Sequence, residues 1–96
     1  MNLFAIGEIV KTRGLRGCMK VVSFVDAKDI SAELEFVYIQ DNSGQKKLYN
    51  LRKIDISGKF LFIELDAIDD VDLAKTFVGC KIVIPRNMLK ELPQGE

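Results

Sequence analysis

Ninety-six residues with 48 % hydrophobic side chains suit one domain around one core, and exclude both a disordered chain and a pair of domains. The 14 basic and 14 acidic side chains cancel to zero net charge, so the totals alone point to no polyanionic partner. Histidine is absent, which excludes Ser-His and Cys-His nucleophile systems and imidazole ligation of zinc.

The opening stretch MNLFAIGEIV is apolar, has no basic leader and is interrupted by Glu8, so it reads as a first strand over Leu3 to Lys11 and not as a signal peptide. Cys18 to Val25 is the second strand, with Met19, Val21 and Val25 on one side and Lys20 on the other, although Ser23 breaks the alternation. Phe36 to Gln40 is the third, closed by the turn residues Asp41-Asn42-Ser43-Gly44. Lys46 to Ile56 follows. It carries Tyr49 and Leu51 in one phase and Ile54 and Ile56 in the other, a slip that predicts a bulge over Arg52-Lys53. Ser57-Gly58 is expected to make a two-residue hairpin turn into Lys59 to Leu65, whose Leu61, Ile63 and Leu65 should face the core.

One short helix is expected. Asp69 is its predicted cap, Asp72 stands three residues on, and Gly79 supplies the stop. Val71, Ala74, Phe77 and Val78 fall on one face at helical spacing, over about two and a half turns. So short a helix needs a barrel mouth or a sheet to pack on. Lys81 to Pro85 is the last strand, and the residues after it turn polar. Six strands with hairpin connections and one capping helix point to an all-β, six-stranded antiparallel barrel, with a two-sheet sandwich as the competing architecture. The longest apolar run, Phe60 to Ile63, is far short of a membrane span, so a soluble cytoplasmic protein is expected. Cys18 and Cys80 read as buried or half-buried thiols and not as a disulfide or a metal pair.

Charge is segregated along the neutral chain. No acid occurs between Glu8 and Asp26, whereas Glu64 to Asp72 holds five carboxylates and no cation. The acid-free segment contains KTRGLRGCMKV, in which Gly14 and Gly17 suit a chain reversal. Turn geometry explains the glycines but has no use for arginine. Arg13 and Arg16 at a hairpin tip, with Lys11 and Lys20 at its bases, are placed to meet phosphate oxygens, and the glycines would let backbone N–H groups approach as well. Leu15 at the tip needs either a packing partner in the domain or a binding partner outside it. A G-x-x-G also clamps RNA in KH domains, but there it joins helices and here it joins strands.

Other candidates have plainer readings. Glu64, Asp66, Asp69, Asp70 and Asp72 are expected to cap the helix and form a solvated rim, not an acid–base or metal site. Lys46, Lys47, Arg52, Lys53 and Lys59 either extend the basic face or keep an edge soluble. Tyr38 and Tyr49 suit packing better than base stacking. The Arg-x-Tyr-Ser/Thr run of barrel-type flavin reductases is missing, so no enzyme and no cofactor are expected.

The motifs resemble a known family. IGEIVKTRGLRGCMKVVSF is similar to the opening signature of the ribosome maturation factor RimM family, and FLFIELDAIDDVDLAKTFVGCKIVIPRNML is similar to its later strand-and-helix region. The resemblance implies a barrel like the second domain of translation elongation factors over residues 1–88. Residues 89–96 would then begin a linker toward a PRC-type barrel that this chain lacks. It also implies a non-catalytic, monomeric assembly factor with no metal. Such a factor binds the immature small ribosomal subunit near its head, through rRNA and a head ribosomal protein, and promotes rRNA processing and head maturation. By that resemblance Lys11, Arg13, Gly14, Leu15, Arg16, Gly17 and Lys20 are the ribosome- or rRNA-binding set. Three residues depart from the family pattern. Cys18 replaces the usual Glu or Trp, Ala67 replaces Gly, and Val71 stands where an Arg would offer a salt bridge.

Overall fold

Alternating apolar residues on short segments build the wall of a barrel, because each strand turns every second side chain inward. The computed structural model describes residues 3–31 and 33–88. It contains β1 (Leu3–Arg13), β2 (Cys18–Ser23), β3 (Phe36–Gln40), β4 (Lys46–Ser57), β5 (Phe60–Leu65), α1 (Val71–Lys75) and β6 (Lys81–Pro85), with single 3-10 turns at Ala27–Asp29 and Arg86–Met88. The strands close into a barrel in the order β1-β2-β5-β4-β3-β6, and every pairing is antiparallel. The barrel is therefore the architecture, not the sandwich.

The interior is aliphatic. Ile9, Val21, Leu61 and Ile63 are at most 1 % exposed, and none of the buried residues is polar or charged among those described. Burying each such side chain contributes about 1.5–3 kcal/mol. Leu61, Ile63 and Leu65 face the core as their spacing predicts. The register of β4 on β5 slips between Leu51 and Lys53, where the sequence places a bulge.

Several boundaries differ from expectation. β1 runs on to Arg13, so Arg13 belongs to a strand and not to the loop. β2 ends at Ser23, short of Val25, because the Ser23 hydroxyl donates to Val25 O at 2.8 Å and accepts from Val25 N–H at 3.2 Å, turning the chain. The β4–β5 turn is Gly58-Lys59, one residue later than expected, since Ser57 pairs with Phe60. Asp70, not Asp69, caps α1 and accepts from Asp72 N–H. The helix is also shorter than its apolar spacing suggests: residues 76–79 form turns, and Val78 is 44 % exposed. Ala74 is fully buried, and Phe77 packs edge-on against Tyr49 with ring centroids 5.5 Å apart. Tyr38 packs in the same manner on Phe36 at 6.0 Å, so both tyrosines serve packing. The expected linker, residues 89–96, lies outside the described residues.

Candidate nucleic-acid interface

The basic segment becomes a surface through one bulge. β1 pairs with β2 as Ile9↔Val21, then as Lys11↔Lys20 and Arg13↔Cys18, so Val10 is the extra residue. In uninterrupted alternation Lys11 and Arg13 would share the inward phase of Ile9. The bulge moves both to the outer face, beside Lys20. Lys20 in turn lies opposite Phe62 of β5, and Val22 lies opposite Phe60. The outside of β1–β2–β5 is therefore cationic and aromatic together.

Side-chain distances bear this out. The Arg13 guanidinium carbon stands 4.5 Å from the centroid of Phe62, and Lys20 Nζ stands 4.1 Å from that of Phe60. Each such interaction contributes about 0.5–1 kcal/mol at an exposed site and holds a flexible cation in place. Lys11 and Lys20 are paired directly across the ladder, an arrangement that costs stability for like charges. No carboxylate among the described residues forms an ion pair with either. Among the described residues, the ion pairs involve Arg52 and Lys53 only, and none reaches Lys11, Arg13, Arg16 or Lys20.

The acidic block is held elsewhere. Arg52 Nη1 meets Asp69 Oδ1 at 2.7 Å, and its Nε meets Glu64 Oε1 at 3.6 Å. Arg52 Nη2 also donates to the carbonyl oxygen of Ile68 at 3.4 Å. The hydrogen bond to Asp69 is the main reason that Arg52 is held charged above its ordinary range. Asp55 is paired with Lys53 at 3.6 Å. Arg52 and Lys53, which by sequence could have extended the basic face, are thus internally neutralised.

At the hairpin tip, residues 14–17 form the turn, and its two glycines are not alike. Gly14 has φ +74° and open space where a Cβ would stand. Gly17 has φ +87°, is buried, and its Cβ would lie 2.6 Å from the carbonyl oxygen of Ile68. It is a packing residue that docks the hairpin on the loop before α1, so its backbone is not open to a ligand. Leu15 is 81 % exposed and Arg16 is exposed beside it. Cys18 is half-buried opposite Arg13 in the ladder, and burial first, then the nearby Glu64, pushes its thiol up, which disfavours the reactive thiolate. Cys80 is likewise free and raised by burial.

A shallow bowl of about 570 Å³ opens beside the tip, lined by Cys18 and Phe62, by Arg13 and Arg16 of the hairpin, and by Lys53, Asp55 and Glu64 of β4 and β5. Phe60 and Phe62 do not stand out among the basic and glycine residues that the sequence singles out. Their signal is the same alternation that puts Leu61 and Ile63 inside, since the residues between must point out. Among the described residues no cluster of three acidic or thiol side chains could hold a metal ion, and no helix is long and apolar enough to cross a membrane.

Comparison with known proteins gives a consistent match. The family described as RimM N-terminal domain matches residues 4–89. The ribosome maturation factor RimM of Syntrophus aciditrophicus is 38 % identical over 88 residues, covering 91 % of this chain and 52 % of that protein. That of Ectopseudomonas mendocina is 34 % identical over 95 residues, covering 99 % and 53 %. The chain thus spans about half the length of the curated relatives it matches. Among solved structures, a 16S ribosomal RNA processing protein RimM from Pseudomonas aeruginosa superposes with TM-score 0.77 at 36 % identity, covering 96 % of this chain and 54 % of that one. The N-terminal domain of RimM from Thermus thermophilus gives TM-score 0.69 at 23 % identity over the full length of both, a likeness of fold.

Proposed function

The chain belongs to the RimM N-terminal domain family, and from that premise we propose that it is a non-catalytic ribosome-assembly module acting in the cytoplasm. It binds the immature small subunit at its head and promotes rRNA processing and head maturation. Its own contact is with rRNA, through Lys11, Arg13, Arg16 and Lys20, with Leu15 at the contact edge. Gly14 and Gly17 shape the turn that presents them. The observation that carries this reading is the unrelieved cross-strand pair Lys11↔Lys20, flanked by arginines that no carboxylate neutralises among the described residues. A folded domain of zero net charge keeps such a face at a cost to its own stability, and an external polyanion removes that cost.

The test uses the intact factor. Arg13→Glu combined with Arg16→Glu should abolish most co-sedimentation with immature small subunits while the barrel still folds, its melting temperature lowered by only about 5 °C with the loss of the Phe62 contact. Unchanged co-sedimentation would mean that the hairpin does not touch the ribosome.

A second reading, an adaptor that docks a PRC-type barrel or a head ribosomal protein without touching RNA, has its own support. On the opposite wall, Ala5, Val83, Tyr38 and Leu48 align in register across β1, β6, β3 and β4, with Val83 buried at 2 % and Leu48 47 % exposed. Leu48, at the exposed end of that row, is where an apolar partner would dock. Salt separates the two readings. Phosphate contacts weaken steeply as ionic strength rises, whereas apolar docking there barely responds.

A further inference from the structure

Resting on the rRNA-binding reading above, we infer that the outer face of β1–β2–β5 takes single-stranded RNA, with one unpaired nucleotide seated in the bowl over Cys18 and Phe62.

The first ground is the width of the basic strip. Lys11 and Lys20 form its centre, with one carboxylate beyond its end along β1 and two more beyond Phe62 across the sheet. Glu8 precedes it on β1, and Asp55 and Glu64 stand beyond Phe62 on β4 and β5. A duplex presents two rows of phosphates, and its second row would fall over Asp55 and Glu64. A single strand presents one row, which the four cations can follow with Asp55 and Glu64 to one side of it.

The second ground is the aromatic lining. The Arg13 guanidinium carbon stands 4.5 Å from the Phe62 centroid in an exposed residue, so solvent-side guanidinium surface remains for a ligand. That surface stacks on a base, and its N–H edge donates to a phosphate, both already ordered before RNA arrives. Only an unpaired base can reach such a surface, because bases in a helix have both faces occupied by their neighbours. The bowl, at about 570 Å³, is large enough for one nucleotide unit by the usual size of small-ligand sites. Arg16 on the rim meets the next phosphate along the strand. The carboxylates that line the bowl keep spare acceptor positions beyond their ion pairs for the edge of the base.

The experiment measures fluorescence anisotropy of a labelled, unstructured RNA decamer titrated with this domain at low salt, alone and annealed to its complement. The same titrations are repeated with Phe62→Leu. Stacking of one base corresponds to a factor of about five or more in affinity, so the single strand should bind at least about five-fold tighter than the duplex. Phe62→Leu should remove most of that preference, weakening single-strand binding several-fold more than duplex binding. Because Phe62 is on the outer wall, Phe62→Leu should melt close to wild type. Should it not, the test passes to wild-type NMR, in which single-stranded RNA should shift the Phe62 ring protons and the Arg13 Nε–H together. Equal affinity for both forms, no binding of the single strand, or a folded Phe62→Leu with full preference each overturns the inference. Loss of ribosome binding by the Arg13→Glu, Arg16→Glu factor would still stand in those cases, so this inference can fail while the parent reading survives.

Discussion

Arg13 on β1 and Arg52 on β4 end in opposite electrostatic states. Arg52 is tied to Asp69, Glu64 and the Ile68 carbonyl, its charge used within the domain. Arg13 leans on a phenyl ring and meets no acid among the described residues. A net charge of zero therefore hides an uneven division. Glu64 and Asp69 are held by Arg52 and Asp70 caps α1, whereas the cations of β1 and β2 make no ion pair among the described residues. Unspent charge, not total charge, is what points to a partner.

The two regions meet at Ile68, whose carbonyl accepts from Arg52 and crowds the site where a Gly17 Cβ would be. Gly17→Ala should therefore have the largest effect on folding. Strain at positive φ and a clash with fixed backbone together should cost about 3 kcal/mol, and thermal denaturation should show a fall of more than about 10 °C. Gly14→Ala, at similar φ but in open space, should cost only about 1 kcal/mol. Equal destabilisation by the two would show that the tip is not docked on the loop before α1.

For binding, the double charge reversal at Arg13 and Arg16 should flatten the dependence of log affinity on log salt by about one to two units, one for each phosphate no longer met. An unaltered salt slope would move the rRNA site elsewhere. Smaller still is the effect of Arg52→Gln on the melting temperature. An exposed pair contributes little, and added salt should shrink the difference further. The mildest effect concerns pH. The folded thiol of Cys18 titrates above its ordinary range, so its contribution to stability is complete below that range and is lost as pH rises through the folded value. Alkylation by iodoacetamide near neutral pH should accordingly be slow in the folded domain and fast in urea.

Much of the fold can be read from residue order alone, because period-two alternation survives in short strands. Leu61, Ile63 and Leu65 announce an inward face, and the phase change at Arg52-Lys53 announces its bulge. The bulge at Val10 leaves no such trace, since Ile9 and Val10 are both apolar and either could point inward. That one ambiguity conceals which way Lys11 and Arg13 face. Phe60 and Phe62 escape for a related reason, as phenylalanines in a strand read as core. Asp69 and Asp70 are equivalent as caps in sequence, and only the long-range attachment of Asp69 to Arg52 decides between them. Gly14 and Gly17 likewise look identical until the loop before α1 is folded against one of them.

The most direct test compares two neutralising substitutions in the intact factor, Arg13→Gln and Arg52→Gln, each assayed by co-sedimentation with immature small subunits at low salt. Arg13→Gln should weaken binding several-fold, and Arg52→Gln should leave it at the wild-type level. Equal weakening by both, or weakening confined to Arg52→Gln, would contradict the claim that the unpaired cations of β1 and β2 are the ones kept for the ribosome.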